Sequence, residues 1–206
     1  MLPAWFIVFS IGIRIFGGGQ YAWGVIKGKA RPNPITWFLW GLTAMIAFAA
    51  QLQEGVGIQA LVTFVLGLSP LVVCAIAVTR NGLSAHLTPF TISCAISALI
   101  GIVLWRITNN PELAITFSII ADSFAGLPTL FKAYKDPSSE YSQPYLLSIV
   151  SMVILLLTLT SWTYVSSAFP IYMLVSNIFL LAFAALPIRS GVEVLRRRLV
   201  RRTELG

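Results

Sequence analysis

The chain has 206 residues, of which 57% are hydrophobic and only 10% are charged, and its net charge is +7. Soluble domains carry about 25% charged residues, so this composition excludes a water-soluble protein and leaves no room for a sizeable soluble domain. Apolar runs close to the roughly 20 residues that cross a bilayer recur along the whole length. The composition therefore indicates an integral membrane protein.

Apolar segments separated by helix breakers predict seven membrane-spanning helices. They cover about 4–26, 34–53, 56–79, 87–106, 112–133, 144–164 and 168–190. Short loops rich in Gly, Asn and Pro separate several of them, at 27–32, 53–55, 80–82, 109–111 and 136–139. The first segment lacks a basic N-terminal region, is too long for a signal peptide and carries Arg14. It is therefore predicted to be a true span.

The basic residues are distributed unevenly between the two sets of alternate loops. One set, together with the C-terminal tail, holds twelve of the 14 Lys and Arg residues, whereas Arg106 is alone on the other side and Arg14 lies within a span. Because basic loops are retained in the cytoplasm, the N-terminus is predicted outside and the C-terminus inside. The excess positive charge then indicates membrane orientation and attraction of the tail to anionic lipid, not a nucleic-acid partner.

Two stretches of the chain, 17–40 and 126–148, share one pattern. In each, a helix end is expected to be interrupted by Gly or Pro, and a short polar loop then leads to an amide–proline step that opens the next span. Gly19 precedes Pro34 by 15 residues, and Pro128 precedes Pro144 by 16. Interrupted apolar segments at matching places in two halves of a chain point to the binding site and hinges of a transporter.

This repetition predicts an all-α membrane protein with a 3+1+3 organisation. Residues 1–86 form the first three-helix repeat, 87–110 a linker transmembrane helix, 111–190 the second repeat and 191–206 a basic cytoplasmic tail. Because the linker is a single span, both repeats enter the membrane in the same orientation. They are therefore expected to be parallel repeats around a central pore or cleft.

With this topology and the two helix–loop–helix elements, essentially the whole chain resembles the SWEET and PQ-loop superfamily of membrane transporters. That superfamily also includes cystinosin-like proteins and the fold of the KDEL receptor. Its proline–glutamine pair falls at Gly19–Gln20 and Pro128–Thr129, so each copy keeps one member of the pair. The resemblance implies four hinge positions, with glycine, which also weakens a helix, replacing one proline. These positions are Gly19, Pro34, Pro128 and Pro144.

Two ionisable residues are predicted near the middle of the membrane. Arg14 and Asp122 each lie about ten residues into spans that start from the outside, and ionisable groups at that depth are costly and usually functional. The repeat places them on equivalent helices, from which they can meet across the central axis. Two interpretations stay open: a static ion pair that ties the repeats together, or a gate or proton-linked site.

Further polar and aromatic residues are candidates for the lining of the pore. The resemblance implies that an asparagine on the last helix of the repeat binds substrate, and Asn177 occupies such a place; the alternative is a hydrogen bond between helices. Trp40 is predicted to line an inner vestibule, whereas Trp37 is predicted to be a headgroup anchor. Gln20 and Thr129 complete the predicted polar lining.

The sequence contains no phosphate-binding glycine loop, zinc-ligand spacing or nucleophile elbow. Cys74, Cys94 and His86 do not form a cluster, so no disulfide, metal or cofactor is predicted. We therefore expect a transporter of a small polar solute and not an enzyme. The resemblance favours a sugar; a proton-coupled amino-acid carrier of the cystinosin-like kind and a receptor on the same fold are the alternatives. A homo-oligomer in the bilayer is left open.

Single cysteines at the two ends of the chain test the predicted orientation. In a background without Cys74 and Cys94, Leu2→Cys should react with a membrane-impermeant maleimide from outside intact cells. Gly206→Cys should react only after permeabilisation, because basic loops and tails stay in the cytoplasm. Labelling of both cysteines from the same side would eliminate the seven-span topology.

Overall fold

A computed structural model describes residues 2–81, 109–135 and 142–185, together with nine separate positions between 89 and 107. The regular structure in these residues is entirely helical, as predicted. The six helices are α1 (Phe6–Ile26), α2 (Pro34–Gln53), α3 (Ala60–Asn81), α4 (Pro111–Lys135), α5 (Gln143–Thr158) and α6 (Tyr164–Ala185), and a 3-10 turn (Gly57–Gln59) precedes α3. Most of the predicted linker span at 87–106 falls outside the described residues, as do the loop at 136–139, the tail at 191–206, His86 and Cys94.

Four of the described helices are long and apolar enough to cross a membrane by length and composition. They are α2, α3 with its preceding turn, α4 and α6, whereas α5 is a shorter apolar helix. Helix α1 has 21 residues and contains one charged residue, Arg14. The described part of the chain is therefore compatible with an integral membrane protein.

The connection between the last two helices differs from the prediction. Helix α5 ends at Thr158 and not at 164, and α6 begins at Tyr164 and not at 168. Hydroxyl groups hold the turn between them: Thr163 Oγ1 accepts a hydrogen bond from Ser166 N at 3.3 Å, and Ser166 Oγ donates to Ser161 O at 2.7 Å. Local bonds of Ser and Thr side chains to the backbone compete with helix continuation, which apolar content alone does not reveal.

The main contacts between helices close a ring. Helix α3 packs between α1 and α2, and α6 packs between α4 and α5. The two groups meet where α1 packs against α5 and α2 against α4. The order around the ring is therefore α1, α3, α2, α4, α6, α5.

The helices of the ring run in two directions. Helices α2 and α4 are antiparallel, because Thr43 contacts Asp122 while Gln53, further along α2, contacts Asn109, just before α4. Helices α4 and α6 are parallel, because Thr116 contacts Tyr164 and Asp122 contacts Tyr172. With the short connections between neighbours, α1, α3, α4 and α6 run one way and α2 and α5 the other.

This arrangement gives the ring a basic end and an opposite end. The basic end holds the connection between α1 and α2 and the C-terminal ends of α3 and α4, with Lys27, Lys29, Arg31, Arg80 and Lys135. The opposite end holds the connections 54–56 and 159–163. The positive charge of the described connections and helix ends is thus concentrated at one end of the ring.

The glycines and proline that were expected to interrupt the helices do not break them. Helix α1 continues through Gly17–Gly19, and α4 continues through Gly126–Pro128, so the predicted interruptions are wrong. Glycine keeps its backbone N–H and can remain in a helix while it allows close packing. A Cβ atom on Gly18 would lie 2.8 Å from Ser69 Oγ of α3, and one on Gly17 would lie 3.3 Å from Leu147 Cβ of α5.

The predicted hinge prolines occupy two kinds of position. Pro34 is the first residue of α2, where Asn33 Oδ1 accepts a hydrogen bond from Ile35 N at 3.0 Å, and Pro144 is the second residue of α5. Proline removes no intrahelical hydrogen bond at such starts. Pro128 lies inside α4, where it does remove one. Two interior prolines that were not predicted as hinges lie in α3 and α6, at Pro70 and Pro170.

Apolar side chains fill the half of the ring toward the opposite end. One cluster joins α2, α3, α4 and α6 around Leu66, Ile115 and Phe169, and another joins α1, α3 and α5. Two buried amides cross the ring there. Gln51 Nε2 donates to Val165 O at 3.5 Å, and Gln59 Nε2 donates to Thr158 O at 3.1 Å. The ring is closed at this end.

The approach of α2 to α3 predicts a strong effect of one added methyl group. A Cβ atom on Gly41 would lie 2.5 Å from Leu71 Cγ and 3.0 Å from the backbone oxygen of Gly67. Because backbone must move, Gly41→Ala should lower the free energy of unfolding by about 1–3 kcal/mol. The measurement is the thermal unfolding midpoint in detergent. In α1, Gly12→Ala is the control, since its Cβ would meet nothing within 4 Å. Equal midpoints for the two variants would contradict the close packing.

Candidate solute-binding cavity

A cavity occupies the half of the ring toward the basic end. Its empty space is about 690 Å³, including the part that is open to solvent, and all six described helices contribute to its lining. Its polar and aromatic wall includes Arg14, Tyr21, Trp40, Asp122, Ser148 and Asn177. The apolar clusters of the opposite half bound it on the other side.

The carboxylate of Asp122 is buried and joins three helices. Its side chain is 1% exposed. Thr43 Oγ1 of α2 donates a hydrogen bond to one carboxylate oxygen at 2.6 Å, and Tyr172 OH of α6 donates to the other at 2.8 Å. Hydrogen bonds to a charged group are among the stronger ones in proteins. Asp122 therefore connects α4 to both of its neighbours in the ring.

The guanidinium of Arg14 lies on the wall formed by α1 and α5. One of its terminal nitrogens, Nη1, donates a hydrogen bond to Ser148 Oγ. Its Nε is buried and has no hydrogen-bond partner among the described residues. Arginine has five N–H donors in a planar fork and no acceptor. Among the described residues, the guanidinium thus has a partner at Nη1 and none at Nε.

Arg14 and Asp122 line the same cavity but do not form an ion pair. Each is bound to hydroxyl groups instead, those of Ser148, Thr43 and Tyr172. The static ion pair considered from the sequence is therefore not formed in this conformation. The cavity carries a positive group on one wall and a carboxylate on another.

Aromatic rings form a further part of the wall. The ring centroids of Tyr21 and Trp37 are 4.3 Å apart, and those of Trp37 and Trp40 are 5.5 Å apart. Trp37 is only 7% exposed, so its predicted role as a headgroup anchor is wrong. It packs with Val25 and other residues of α1, α3 and the first connection, which cover it from the outside. The Trp40 indole lies 3.5 Å from where a Cβ on Gly126 would be.

The structure brings together four of the six predicted substrate-binding residues: Arg14, Trp40, Asp122 and Asn177. Asn177 Nδ2 donates to Met173 O of its own helix at 2.7 Å. Gln20 and Thr129 do not line the cavity. Gln20 lies off the helical face that contains Arg14 and Tyr21, and Thr129 lies nearly two turns beyond Asp122 toward the basic end.

Of the predicted hinge residues, Pro144 lines the cavity, whereas Gly19, Pro34 and Pro128 do not. Sequence reasoning also missed several lining residues. On α1, Arg14, Gly17, Gly18 and Tyr21 follow the i, i+3, i+4, i+7 spacing of one helix face, and this pattern of polar and small residues would have identified the cavity wall. No sequence pattern marks Thr43 and Tyr172 as the hydrogen-bond donors to Asp122, because these contacts depend on packing between helices.

Comparisons of the chain with models of protein families, with curated proteins and with solved structures find no match. The function proposed for the chain therefore rests on its sequence pattern and on the geometry of its described residues.

The bond from Thr43 to Asp122 predicts a loss of stability on removal of one hydroxyl. Thr43→Val should lower the free energy of unfolding by about 1.5–3 kcal/mol, because it removes a hydrogen bond to a buried carboxylate. Thr79→Val is the control: each hydroxyl oxygen lies near the backbone carbonyl oxygen three residues earlier, at 3.1 and 2.9 Å, but Thr79 is exposed and bonds to no carboxylate among the described residues. Thermal unfolding in detergent measures both variants. If both lost the same stability, Thr43 would not support Asp122.

Proposed function

We propose that the chain is a small-solute membrane transporter that works by alternating access. The observation that carries this proposal is a ring of helices around a polar cavity, with apolar packing that closes the ring toward the end opposite to the basic one. In alternating access, the cavity that binds the solute faces first one side of the membrane and then the other.

The proposed organisation is two parallel three-helix repeats, 1–86 and 111–190, joined by the linker span of a seven-helix protein. The contacts of the ring support this organisation. Helix α3 lies between α1 and α2, as α6 lies between α4 and α5. The contact of α1 with α5 corresponds to the contact of α4 with α2. Gly17 and Gly126 support the register that aligns Gly19 with Pro128. Each of these two glycines faces the helix of the other repeat.

The charge distribution supports an inward-facing conformation. If the basic end lies in the cytoplasm, as the distribution of Lys and Arg predicts, the cavity faces the cytoplasm. The opposite end, closed by apolar packing and by Gln51 and Gln59, faces outward. Transport then requires the two repeats to rock, so that these contacts separate and the basic end closes. The tail at 191–206 is proposed to contact anionic lipid.

On the basis of the resemblance to SWEET proteins, we propose a sugar as the solute. A proton-coupled amino-acid carrier is the second candidate, and the observation that favours it is the buried carboxylate of Asp122 at the cavity. An ionisable group in such a place is a candidate for a proton relay. A receptor on the same fold would bind solute without moving it.

Uptake by purified protein in liposomes tests the transporter proposal. Radiolabelled sugars and amino acids should be tested one at a time, with and without a pH gradient. We expect saturable uptake of at least one solute by liposomes that contain the protein and none by empty liposomes. Uptake that responds to the pH gradient would favour the proton-coupled carrier. Binding of a solute without net flux would contradict transport and favour the receptor.

The interior position of Pro128 predicts an effect on the rate of transport. Pro128→Ala restores a backbone hydrogen bond in α4, which should favour one conformer. A bias of about 1 kcal/mol slows the transition roughly fivefold. The measurement is the initial uptake rate at equal amounts of folded protein. Pro111→Ala, at the start of the same helix, is the control and should keep its rate. An unchanged rate for Pro128→Ala would make this proline structural only.

A further inference from the structure

On the basis of the proposed function, we infer that the cavity binds a small zwitterion, with its carboxylate on Arg14 and its amino group directed to Asp122. This assignment separates the amino-acid class of solutes from the sugars. It rests on the hydrogen bonds that Arg14 and Asp122 form and on the Nε of Arg14, which lacks a partner among the described residues.

The free edge of Arg14 matches a carboxylate. Ser148 takes up Nη1, and the buried Nε has no hydrogen-bond partner among the described residues. Together with Nη2, Nε forms the parallel pair of donors on the side edge of the guanidinium. This pair has the spacing of two carboxylate oxygens, which arginine binds in a bidentate manner. A cation at membrane depth without an ion pair, and with a buried N–H that lacks an acceptor, is costly. A bound carboxylate supplies a paired negative charge and an acceptor for Nε.

Asp122, the second charged residue of the cavity, determines which class of carboxylate-bearing solute fits. A plain monocarboxylate would neutralise Arg14 but would share the cavity with the carboxylate of Asp122. A neutral sugar would leave both residues without a direct ion pair. A zwitterion places its ammonium toward Asp122 and its carboxylate on Arg14, so both charges are compensated. The aromatic wall of Tyr21 and Trp40 then lies beside the remaining part of the solute, where it favours apolar groups and cations.

A set of related probes tests this inference on the full-length protein in detergent. L-Alanine and 4-aminobutyrate hold the two charges at short and long separation. Propionate is alanine without the amino group, ethylamine is alanine without the carboxylate, and glucose is neutral. A ligand that binds the folded state raises the unfolding midpoint in proportion to the logarithm of its concentration over Kd. We expect one of the zwitterions to bind at least about tenfold more tightly than propionate, ethylamine or glucose.

Variants at Arg14 show where the carboxylate binds. Arg14→Lys keeps the positive charge but loses the bidentate edge, so the Kd of the zwitterion should rise about tenfold while the Kd of ethylamine stays the same. Arg80→Lys is the control, since Arg80 is exposed at the basic end of α3, and it should change neither value. If Arg14→Lys does not fold, the ranking of the probes on the native protein decides the question alone.

The outcomes distinguish this inference from the proposed transport. Tighter binding of glucose than of both zwitterions, or binding of no probe, would overturn the zwitterion site. Uptake of glucose in liposomes would then still leave the transporter standing. Tight binding of a zwitterion that depends on Arg14, without net flux, would support the site and overturn transport. An equal loss of affinity in Arg14→Lys and Arg80→Lys would place the carboxylate elsewhere and overturn the assignment.

Discussion

The arrangement of the described helices depends most on the hydrogen bonds that the carboxylate of Asp122 accepts. A carboxylate removed from water must be compensated by hydrogen bonds or by charge. Here the hydroxyls of Thr43 and Tyr172 provide two bonds from two different helices. Because those helices are the two neighbours of α4 in the ring, one buried group fixes the position of α4 on both sides. The bond to α2 also crosses between the two halves of the chain.

The two charges of the cavity are compensated in different ways. Asp122 has a protein donor for each of its oxygens, whereas Arg14 has Ser148 on one nitrogen and, in the described part of the chain, no partner on Nε. This difference breaks the approximate symmetry of the ring at its centre. The packing pattern of the helices is similar in the two halves of the ring, whereas one wall of the cavity carries a positive group and another wall carries a carboxylate.

Packing near the two ends of the ring follows from the size of the residues there. Toward the opposite end, alanines and a few large side chains fill the interior of the ring. Toward the basic end, tryptophan and tyrosine rings stand at the wall and the centre stays open. Glycines at the middle of α1, α2 and α3 let the helices approach closely at the level between these regions. The lining of the cavity accordingly lies in the half of the ring toward the basic end.

The sequence by itself determined the helical class, most helix boundaries and the uneven charge of the two ends. These features follow from local properties: apolar length, helix breakers and the positions of Lys and Arg. It also identified Arg14, Asp122 and Trp40 as candidates, because charged residues and tryptophans stand out in an apolar chain, and the resemblance to the SWEET family added Asn177. It misjudged Trp37, the glycine runs and the end of α5, whose environments depend on neighbouring helices or on hydroxyl–backbone bonds in a turn.

Only the tertiary structure decided which partners these residues have. Arg14 and Asp122 are bound to hydroxyl groups and not to each other, because the packing of α5 and α6 brings Ser148 and Tyr172 within reach. Serine, threonine and tyrosine occur throughout the chain, so composition and spacing do not mark the few that meet a charge. The contact depends on the rotation and crossing of helices that are far apart in sequence. Those are set by the packing of the whole ring and by no single segment of it.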